Sequence, residues 1–217
     1  MGESFDFELI LVGRAIESVP FFILAFRKAA EDGIGLNRAR CDLRGVVTGD
    51  RVLWDEKGFR HESAVRAAAA DWINSRLAKL ELRNESALKI RLRTPTFLTS
   101  QGQPVRAPAF HHLLKRARDR ISALAAFFGE QPLEADFQGL GSRAESVKTI
   151  CTSVEWIDRT RTSSRTGQRH PLSGFVGDTT FAAVPADFLP WLALAELTHV
   201  GKHSSWGNGW IEMSTAS

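Results

Sequence analysis

The sequence predicts an α+β fold built on antiparallel sheets, and the order of its predicted elements carries this prediction. From residue 87 onward, apolar residues recur either at every second position, as in a strand, or at every third or fourth position, as in a helix. These patterns follow one another in the order strand, helix, strand, strand, helix, strand. That order is typical of the ferredoxin-like, or RRM-like, βαββαβ domain, whose two helices lie on one sheet face and leave the other free to bind. Residues 5 to 47 show only strand, helix, strand, which predicts a partial unit of the same kind.

Residues 1–60 are predicted to form the partial ferredoxin-like unit. The segment FDFELILV at 5–12 alternates apolar and polar residues before it becomes wholly apolar, which indicates a strand. Ser18 and Pro20 favour the start of a helix, because Ser caps free N–H groups and Pro tolerates the first turn. The remaining predictions for this part are a helix end at Gly33, short strands at about 40–47 and 51–54, and a helix at 62–80 within a connecting segment, 61–86.

Residues 87–217 are predicted to form the complete domain. The stretch ALKIRLRT alternates as a strand, and Pro95 marks its end. Apolar residues recur at helical spacing over 108–128, where Gly129 ends the helix. The rest of the domain is predicted as two long strands that flank a hairpin turn at Ser163–Gly167, a helix over 185–200 and a terminal strand at 210–213.

Composition narrows the class of protein. The chain has 217 residues, of which 43% are apolar and 24% charged, as is ordinary for a globular protein. Cys41 and Cys151 are the only cysteines, which excludes a disulfide scaffold and a multi-cysteine zinc site. No apolar run approaches the ~20 residues of a membrane helix, and the start MGESFDFE lacks the pattern of a signal peptide. We therefore expect a cytoplasmic protein with no membrane partner.

The basic residues are clustered, and the clustering is more informative than the net charge of +3. Such clusters are the electrostatic footprint of a nucleic-acid binder, because arginines on a hairpin can neutralise phosphates. The alternative is an exposed hairpin whose charge prevents edge-to-edge pairing. Lys115 belongs to a smaller cluster in the first predicted helix of the complete domain. The main cluster is RTRTSSRTGQRH at 159–170, which contains no acid and includes Arg159, Arg161, Arg165, Arg169 and His170.

A glycine-rich loop follows the second predicted helix of this domain. The stretch HVGKHSSWGNGW at 199–210 contains Lys202 together with Gly201, Gly207 and Gly209. Glycine lets the backbone approach a ligand closely, so these residues are candidate phosphate contacts. The loop follows the C-terminus of a helix, which excludes a Walker-type phosphate loop at a helix N-terminus. The alternative is a simple helix stop and a turn into the next strand.

Several of these segments resemble those of one family. The ending LALAELTHVGKHSSWGNGW, with SGFVG at 173–177 and LRTPTFL at 92–98, is similar to the C-terminal domain of the CRISPR precursor-RNA processing endoribonucleases, the Cas-six family of the RAMP superfamily. The helix containing ISALAAFFGE and the hairpin SSRTGQR fit the same pattern. The stretch LVGRAI, a helix and then GIGLNRARCDL resemble the end of that family's N-terminal domain.

The resemblance implies two ferredoxin-like domains, binding of CRISPR repeat RNA, and cleavage of that RNA without a metal or a cofactor. It also implies that the general acid/base, often a histidine, lies on the first helix of the N-terminal domain. The sequence has no counterpart of that helix before Phe5. His203 stands where the family's loop usually has glycine, and Asn208 stands where it usually has an apolar residue.

The resemblance also suggests catalytic candidates, because the family's glycine-rich loop lies beside the cleavage site. His203 is the first candidate for the acid or base, and Lys202 for stabilising the developing charge. The alternative is that His203 is only a surface loop residue. Arg38, near a second pair of glycines, is a further candidate RNA contact. His199 and His203 have the spacing of a zinc pair, but Gly201 interrupts the helix between them, so no metal site is predicted.

Two functions remain open at this point. One is recognition and metal-independent cleavage of precursor CRISPR RNA by its own 2′-hydroxyl. The other is a non-catalytic RNA-binding or structural subunit of a CRISPR ribonucleoprotein, shortened at its N-terminus. Both predict repeat RNA and other CRISPR effector subunits as partners. An incomplete sheet exposes unpaired backbone groups, so a homodimer through the partial N-terminal sheet is a further predicted partner.

Overall fold

A computed structural model of the chain describes residues 3–35, 37–60, 67–80, 87–163 and 166–216. The chain divides into two compact units, and the division falls between Ala67 and Ala68. We describe each unit by itself. The domain limits expected at residues 60 and 86 stay predictions.

The helices are α1 (Val19–Asp32), α2 (Ala69–Ala78), α3 (Phe110–Phe128), α4 (Phe137–Glu145) and α5 (Leu189–Thr198). The strands are β1 (Gly45–Thr48), β2 (Arg51–Asp55), β3 (Gly58–Phe59), β4 (Leu88–Thr96), β5 (Thr99–Ser100), β6 (Gln103–Pro104), β7 (Thr149–Ile157), β8 (Thr160–Thr162), β9 (Arg169–Pro171), β10 (Gly174–Phe181) and β11 (Ile211–Thr215). Short 3-10 helices occur at Gly13–Ser18, Ala186–Phe188 and Ser204–Trp206.

The first unit consists of α1 followed by the antiparallel three-stranded sheet β1-β2-β3. Its small core contains Ile23 from α1 and Leu53 and Trp54 from β2. The predicted strand at 5–12 is wrong, because this segment forms no ladder in the described part of the chain. The ring of Phe7 instead packs 4.8 Å from that of Phe26 on α1.

The second unit contains an antiparallel four-stranded sheet in the order β11-β4-β10-β7. Along the chain, these strands and the two long helices follow one another as β4, α3, β7, β10, α5 and β11. The first strand of the unit therefore lies between the fourth and the third, with the second at the edge. This arrangement confirms the predicted α+β fold and its ferredoxin-like βαββαβ order.

The core of the second unit lies between the sheet and the helices on one of its faces. Alternate residues of β4, Leu88, Ile90 and Leu92, are buried, as period-two alternation predicts. They share one cluster with buried side chains from α3 and α5, among them Phe110 and Leu192. Burial of these side chains fixes which sheet face stays open.

The open face of this sheet carries charged side chains that are already paired. Asp178 on β10 accepts hydrogen bonds from the Arg91 guanidinium at 2.8 and 3.0 Å. The Lys89 ammonium lies 2.8 Å from the same carboxylate. The hydrogen bond from Arg91 is the largest cause that lowers the pKa of Asp178 to about 2. The charge of these two basic residues is therefore partly offset within the sheet.

The predicted helices of the second unit form within a few residues of their expected limits. The helix expected at 108–128 is α3, and the one expected at 185–200 is a 3-10 turn followed by α5. The described part of the helix expected at 62–80 is α2, while 61–66 lies outside the described residues. None of the helices in the described ranges combines the length and the apolar character that a membrane crossing requires.

Within the second unit, helix α2 is joined to α5 by an ion pair that also covers the edge of the sheet. The Arg76 guanidinium donates to both carboxylate oxygens of Glu196, at 2.5 and 2.8 Å. Glu196 also accepts from the backbone N–H of Met213, and Arg76 donates to the carbonyl oxygen of that residue. The N–H and the carbonyl oxygen of Met213, which face away from β4, therefore already have hydrogen-bond partners. Because β11 is an edge strand, this blocks pairing of Met213 with another strand.

Replacing Arg76 by alanine is therefore expected to destabilise the protein. Glu196 is only 8% exposed, and its carboxylate would lose its charged partner. Breaking a buried pair costs about 3 kcal/mol, which urea unfolding should detect. The matched control is Arg143→Ala, which breaks the exposed pair with Asp187 and should cost less than about 1 kcal/mol. Equal losses in the two variants would contradict this role for Arg76.

Candidate nucleic-acid interface

The predicted arginine hairpin is present as the antiparallel pair β8–β9. Arg161 pairs with His170, and Thr162 pairs with Arg169. The side chains of Arg159, Arg161 and Arg169 are exposed, and none of them forms an ion pair within the described residues. Arg165 was predicted as part of this cluster and lies outside the described residues. The hairpin therefore presents cations that no acidic side chain in the described ranges neutralises.

The glycine-rich loop lies against the end of β4 through backbone hydrogen bonds. Lys202 donates its N–H to the carbonyl oxygen of Phe97 at 3.1 Å, and Gly209 donates to that of Pro95 at 3.1 Å. Val200 closes the loop by donating to Gly209 at 2.8 Å. The side-chain hydroxyl of Thr94 donates to the carbonyl of Gly207 at 2.8 Å. The loop is thus held along one side of β4 rather than projecting from it.

Two of the three glycines in the loop are required by close packing, and the third is not. A Cβ on Gly209 would lie 1.8 Å from the carbonyl oxygen of Val200, and one on Gly201 would lie 2.4 Å from that of Phe97. A Cβ on Gly207 would meet nothing within 4 Å. All three residues have φ between 76° and 86°, which glycine adopts readily. Gly207 is therefore the glycine beside which another molecule has room to approach.

Asn208 joins the loop to the base of the hairpin. Its side-chain amide donates to the carbonyl oxygen of Leu172 at 3.1 Å. Leu172 in turn donates its N–H to the carbonyl oxygen of Arg159 at 2.7 Å. The Asn208 carbonyl accepts from Nδ1–H of His199 at 3.0 Å, and burial lowers the pKa of His199, so its neutral form is favoured. The asparagine that departs from the family pattern thus links the two predicted RNA-contacting segments.

Trp206 brings the two segments together at the surface. The guanidinium carbon of Arg161 on β8 lies 5.3 Å from the centroid of the Trp206 ring. The ring of His170 on β9 lies 5.2 Å away at a steep angle. The ring of His203 from the loop itself is 5.3 Å away and nearly parallel, at 18°. The hairpin and the loop therefore form one surface, which we call the Trp206 cluster after Arg161, His170, His203 and Trp206.

A second group of rings lies beside Lys202 of the loop. The Lys202 ammonium lies 5.2 Å from the centroid of the Phe97 ring. The ring of Phe97 lies 5.6 Å from that of Trp156 in an edge-to-face arrangement. Lys202 and His203 are neighbours in the chain, so consecutive residues of the loop contact this group and the Trp206 cluster. Trp156 is 39% exposed and Trp206 is 44% exposed.

The remaining predicted residues lie elsewhere. Lys115 is on α3, where its ammonium is 2.6 Å from the carboxylate of Glu145 on α4. Arg38 lies in the first unit, in a left-handed conformation with φ of 46°. Helix α5 ends at Thr198, so His199 and His203 do not share a helical face. Within the described residues, no three His, Cys, Asp or Glu side chains come together as a metal-binding group.

Sequence reasoning missed three residues of this surface. The sequence predicts Trp156 only as part of a strand, although it precedes the arginine run by a few residues, and Phe97 only as part of the stretch LRTPTFL that resembles the family. Asn208 was noted only as a departure from the family pattern. The signal available for Trp156 was a large aromatic residue in a strand directly beside a cationic hairpin, which is typical of nucleic-acid surfaces.

The packing of the glycines predicts different stabilities for two alanine variants. Gly207→Ala should lower the free energy of unfolding by about 1 kcal/mol, because only the left-handed backbone is penalised. Gly209→Ala adds a clash with the Val200 carbonyl and should cost about 3 kcal/mol. Urea unfolding of both variants measures this difference. A Gly209→Ala protein as stable as Gly207→Ala would show that the loop does not require the close approach.

Comparison with known proteins gives two family matches. The model of the family described as CRISPR-associated endoribonuclease Cas6 matches residues 90–211. A second family model, described as an N-terminal domain, matches residues 1–68. No curated protein gives a significant match to the sequence.

Similar solved structures give the same fold at low sequence identity. A Cas6 product complex is 19% identical, and the match covers 90% of this chain and 70% of that one with a TM-score of 0.54. A partial Cas6-RT-Cas1–Cas2 complex is 15% identical over 74% of this chain, with a TM-score of 0.52. This chain spans only 29% of the length of that matched chain. Because the first family model covers more than half of the sequence, the chain belongs to the Cas6 family of CRISPR-associated endoribonucleases.

Proposed function

We propose that this protein binds the repeat RNA of CRISPR transcripts on the surface shared by the arginine hairpin and the glycine-rich loop. The observation that carries the proposal is the contact of Trp206 with both segments, through Arg161 and His170 on the hairpin and His203 on the loop. Membership of the Cas6 family supports processing or binding of CRISPR RNA as the role of this surface.

The charge of the hairpin supports a phosphate-binding role. Arg159, Arg161 and Arg169 are exposed and have no acidic partner within the described residues. By contrast, Lys89 and Arg91 on the open sheet face share Asp178. Cationic side chains that replace the counterions condensed on RNA phosphates provide the affinity, and a cation that is already paired with a carboxylate contributes less. The hairpin, rather than the open sheet face, is therefore the better phosphate-binding surface.

We further propose that the bound RNA is cleaved by its own 2′-hydroxyl. The 2′-oxygen forms a bond to the adjacent phosphorus, and the bond from phosphorus to the 5′-oxygen breaks. The 2′-hydroxyl proton passes to a base, and the departing 5′-oxygen takes a proton from an acid, which leaves a 2′,3′-cyclic phosphate and a 5′-hydroxyl. This step uses no metal ion, and its candidates are His203 for proton transfer and Lys202 for the developing charge.

The exposure of the loop supports these two candidates. Lys202 is exposed and His203 is partly exposed beside the Trp206 ring. His203 has a φ of 62° in the left-handed region, where a side chain other than glycine is strained. Strained backbone held by its surroundings is common at functional sites. The backbone N–H groups of Trp206 and Asn208, which donate to the His203 carbonyl oxygen, and the bond from Lys202 to Phe97 supply that support.

Removing hairpin charge is expected to weaken RNA binding and its dependence on salt. In a gel-shift assay with the repeat RNA, Arg159→Ala/Arg169→Ala should lower the magnitude of the log–log salt slope by about 1.5. Lys148→Ala is the matched control, since Lys148 is exposed at the far end of β7 from the hairpin and should leave the slope unchanged. Equal slopes for wild type and the double variant, or no preference over unrelated RNA, would contradict the proposal.

Cleavage is expected to persist in EDTA and to require the 2′-hydroxyl. His203→Asn should reduce the cleavage rate of the bound RNA about 100-fold or more, measured at saturating protein so that any loss of affinity does not contribute; asparagine tolerates the left-handed backbone. The readouts are the 2′,3′-cyclic phosphate product and the loss of cutting on 2′-deoxy RNA. Tight binding without any cutting would instead support the alternative, a non-catalytic RNA-binding or structural subunit.

Two partners remain proposals beyond the RNA. Other CRISPR effector subunits are the first, and a second copy of this chain through the N-terminal sheet is the other. The first unit has exposed apolar side chains, including Phe5, Phe7 and Phe21, that an interface would cover. Light scattering that gives a monomer at all protein concentrations would contradict the homodimer.

A further inference from the structure

We infer that the Trp206 cluster and the adjoining rings take an unpaired stretch of RNA, whose bases stack on protein side chains, rather than the groove of an RNA duplex. This inference rests on the proposed function and adds to it the class of RNA. It is carried by a series of planar groups in two parts, the Trp206 cluster and Trp156 with its neighbours, which are contacted by the consecutive loop residues His203 and Lys202.

The first part of the series is a stack of planar side chains. The rings of His203 and Trp206 are nearly parallel, with centroids 5.3 Å apart. The Arg161 guanidinium lies over the same indole at 5.3 Å. Bases stack on histidine, tryptophan and guanidinium planes alike, so any open surface of this stack can receive a base.

The second part of the series is Trp156 and its neighbours. Its indole N–H donates to the Asp158 carboxylate at 2.9 Å, which fixes the orientation of the ring. The rings of Phe97 and Phe175 contact it edge to face, at 5.6 and 5.0 Å. Trp156 is nonetheless 39% exposed. A ring that is held in place but exposed can bind a base with little loss of side-chain entropy.

These planar groups favour unpaired RNA for a physical reason. In a duplex the base faces are covered by their neighbours, and the deep major groove of A-form RNA excludes side chains. A duplex could therefore use the arginines of the hairpin but not the rings. Only unpaired bases gain from both, because each stacked base adds about 1–3 kcal/mol to the phosphate contacts.

The test compares two RNAs of equal length and equal phosphate number. One is the repeat RNA with both arms complementary, so that it forms a stem. In the other, one arm is changed so that no stem forms. Both carry 2′-fluoro groups, so neither can be cut during the measurement. We expect the wild-type protein to bind the unpaired RNA about tenfold more tightly or better.

Two variants separate stacking from charge. Trp206→Leu should weaken binding of the unpaired RNA about 5- to 150-fold and binding of the stem RNA less than about twofold. Arg161→Lys keeps the positive charge but removes the planar guanidinium, so it should also weaken binding of the unpaired RNA more than binding of the stem RNA.

The control is Phe127→Leu, since Phe127 is 80% exposed at the end of α3, and it should change neither affinity. Trp206→Phe retains a ring and should keep most of the affinity, which checks that loss in Trp206→Leu is not a folding defect.

The outcomes distinguish this inference from the proposed function. Stem RNA bound as tightly as unpaired RNA, or a Trp206→Leu effect no larger than that of Phe127→Leu, overturns the inference and leaves repeat-RNA binding intact. Binding of neither RNA above that of an unrelated RNA overturns the proposed function, and the inference with it.

Discussion

The surface at the end of β4 depends on close backbone approaches that only glycine allows. A Cβ on Gly174 would lie 2.5 Å from the Thr96 nitrogen, and those on Gly201 and Gly209 would lie 2.4 and 1.8 Å from carbonyl oxygens. Gly174 and Gly201 allow the start of β10 and the glycine-rich loop to pack directly on the segment around Thr96 and Phe97, and Gly209 allows the two ends of the loop to pack against each other. Without that approach, the loop and the hairpin that precedes β10 would not meet.

The close approach is what converts two separate sequence segments into one surface. The hairpin extends from β7 and returns into β10, while the loop connects α5 to β11. Asn208 bridges them at Leu172, and Trp206 contacts Arg161 and His170 above that bridge. Each of these bonds contributes modestly, but each requires the backbone positions that the glycines permit. The geometry of the candidate site is therefore a consequence of backbone packing.

The order of secondary structure in the second unit could be predicted from the sequence, because alternation and helical spacing directly reflect which residues are buried. The same pattern led to a wrong prediction for residues 5–12, since the alternation of apolar and polar residues does not show whether a partner strand is present. The hairpin was predicted as two continuous strands. The strands of the hairpin are instead interrupted where the hydroxyl oxygen of Ser173 accepts a hydrogen bond from the N–H of Arg159 at 3.1 Å. The spacing of apolar residues in the sequence does not predict such a bond.

The candidate site was predictable in part. The arginine cluster and the glycines are local patterns, and both were found, whereas the roles of Phe97, Trp156 and Asn208 depend on contacts between distant segments. The open sheet face was expected to be free for binding, but its basic residues Lys89 and Arg91 pair with Asp178. These ion pairs form because the register between β4 and β10 places Arg91 opposite Asp178. The alternation of apolar and polar residues does not determine that register.

The most direct test of the shared surface is ultraviolet cross-linking of the protein to its repeat RNA, followed by mass spectrometry of the linked peptides. If the hairpin and the loop form one RNA-binding face, cross-links will occur in both segments, 156–171 and 199–210, on the same RNA. Cross-links confined to the helical side of the domain, around Lys115 on α3 and Arg143 on α4, would contradict the account.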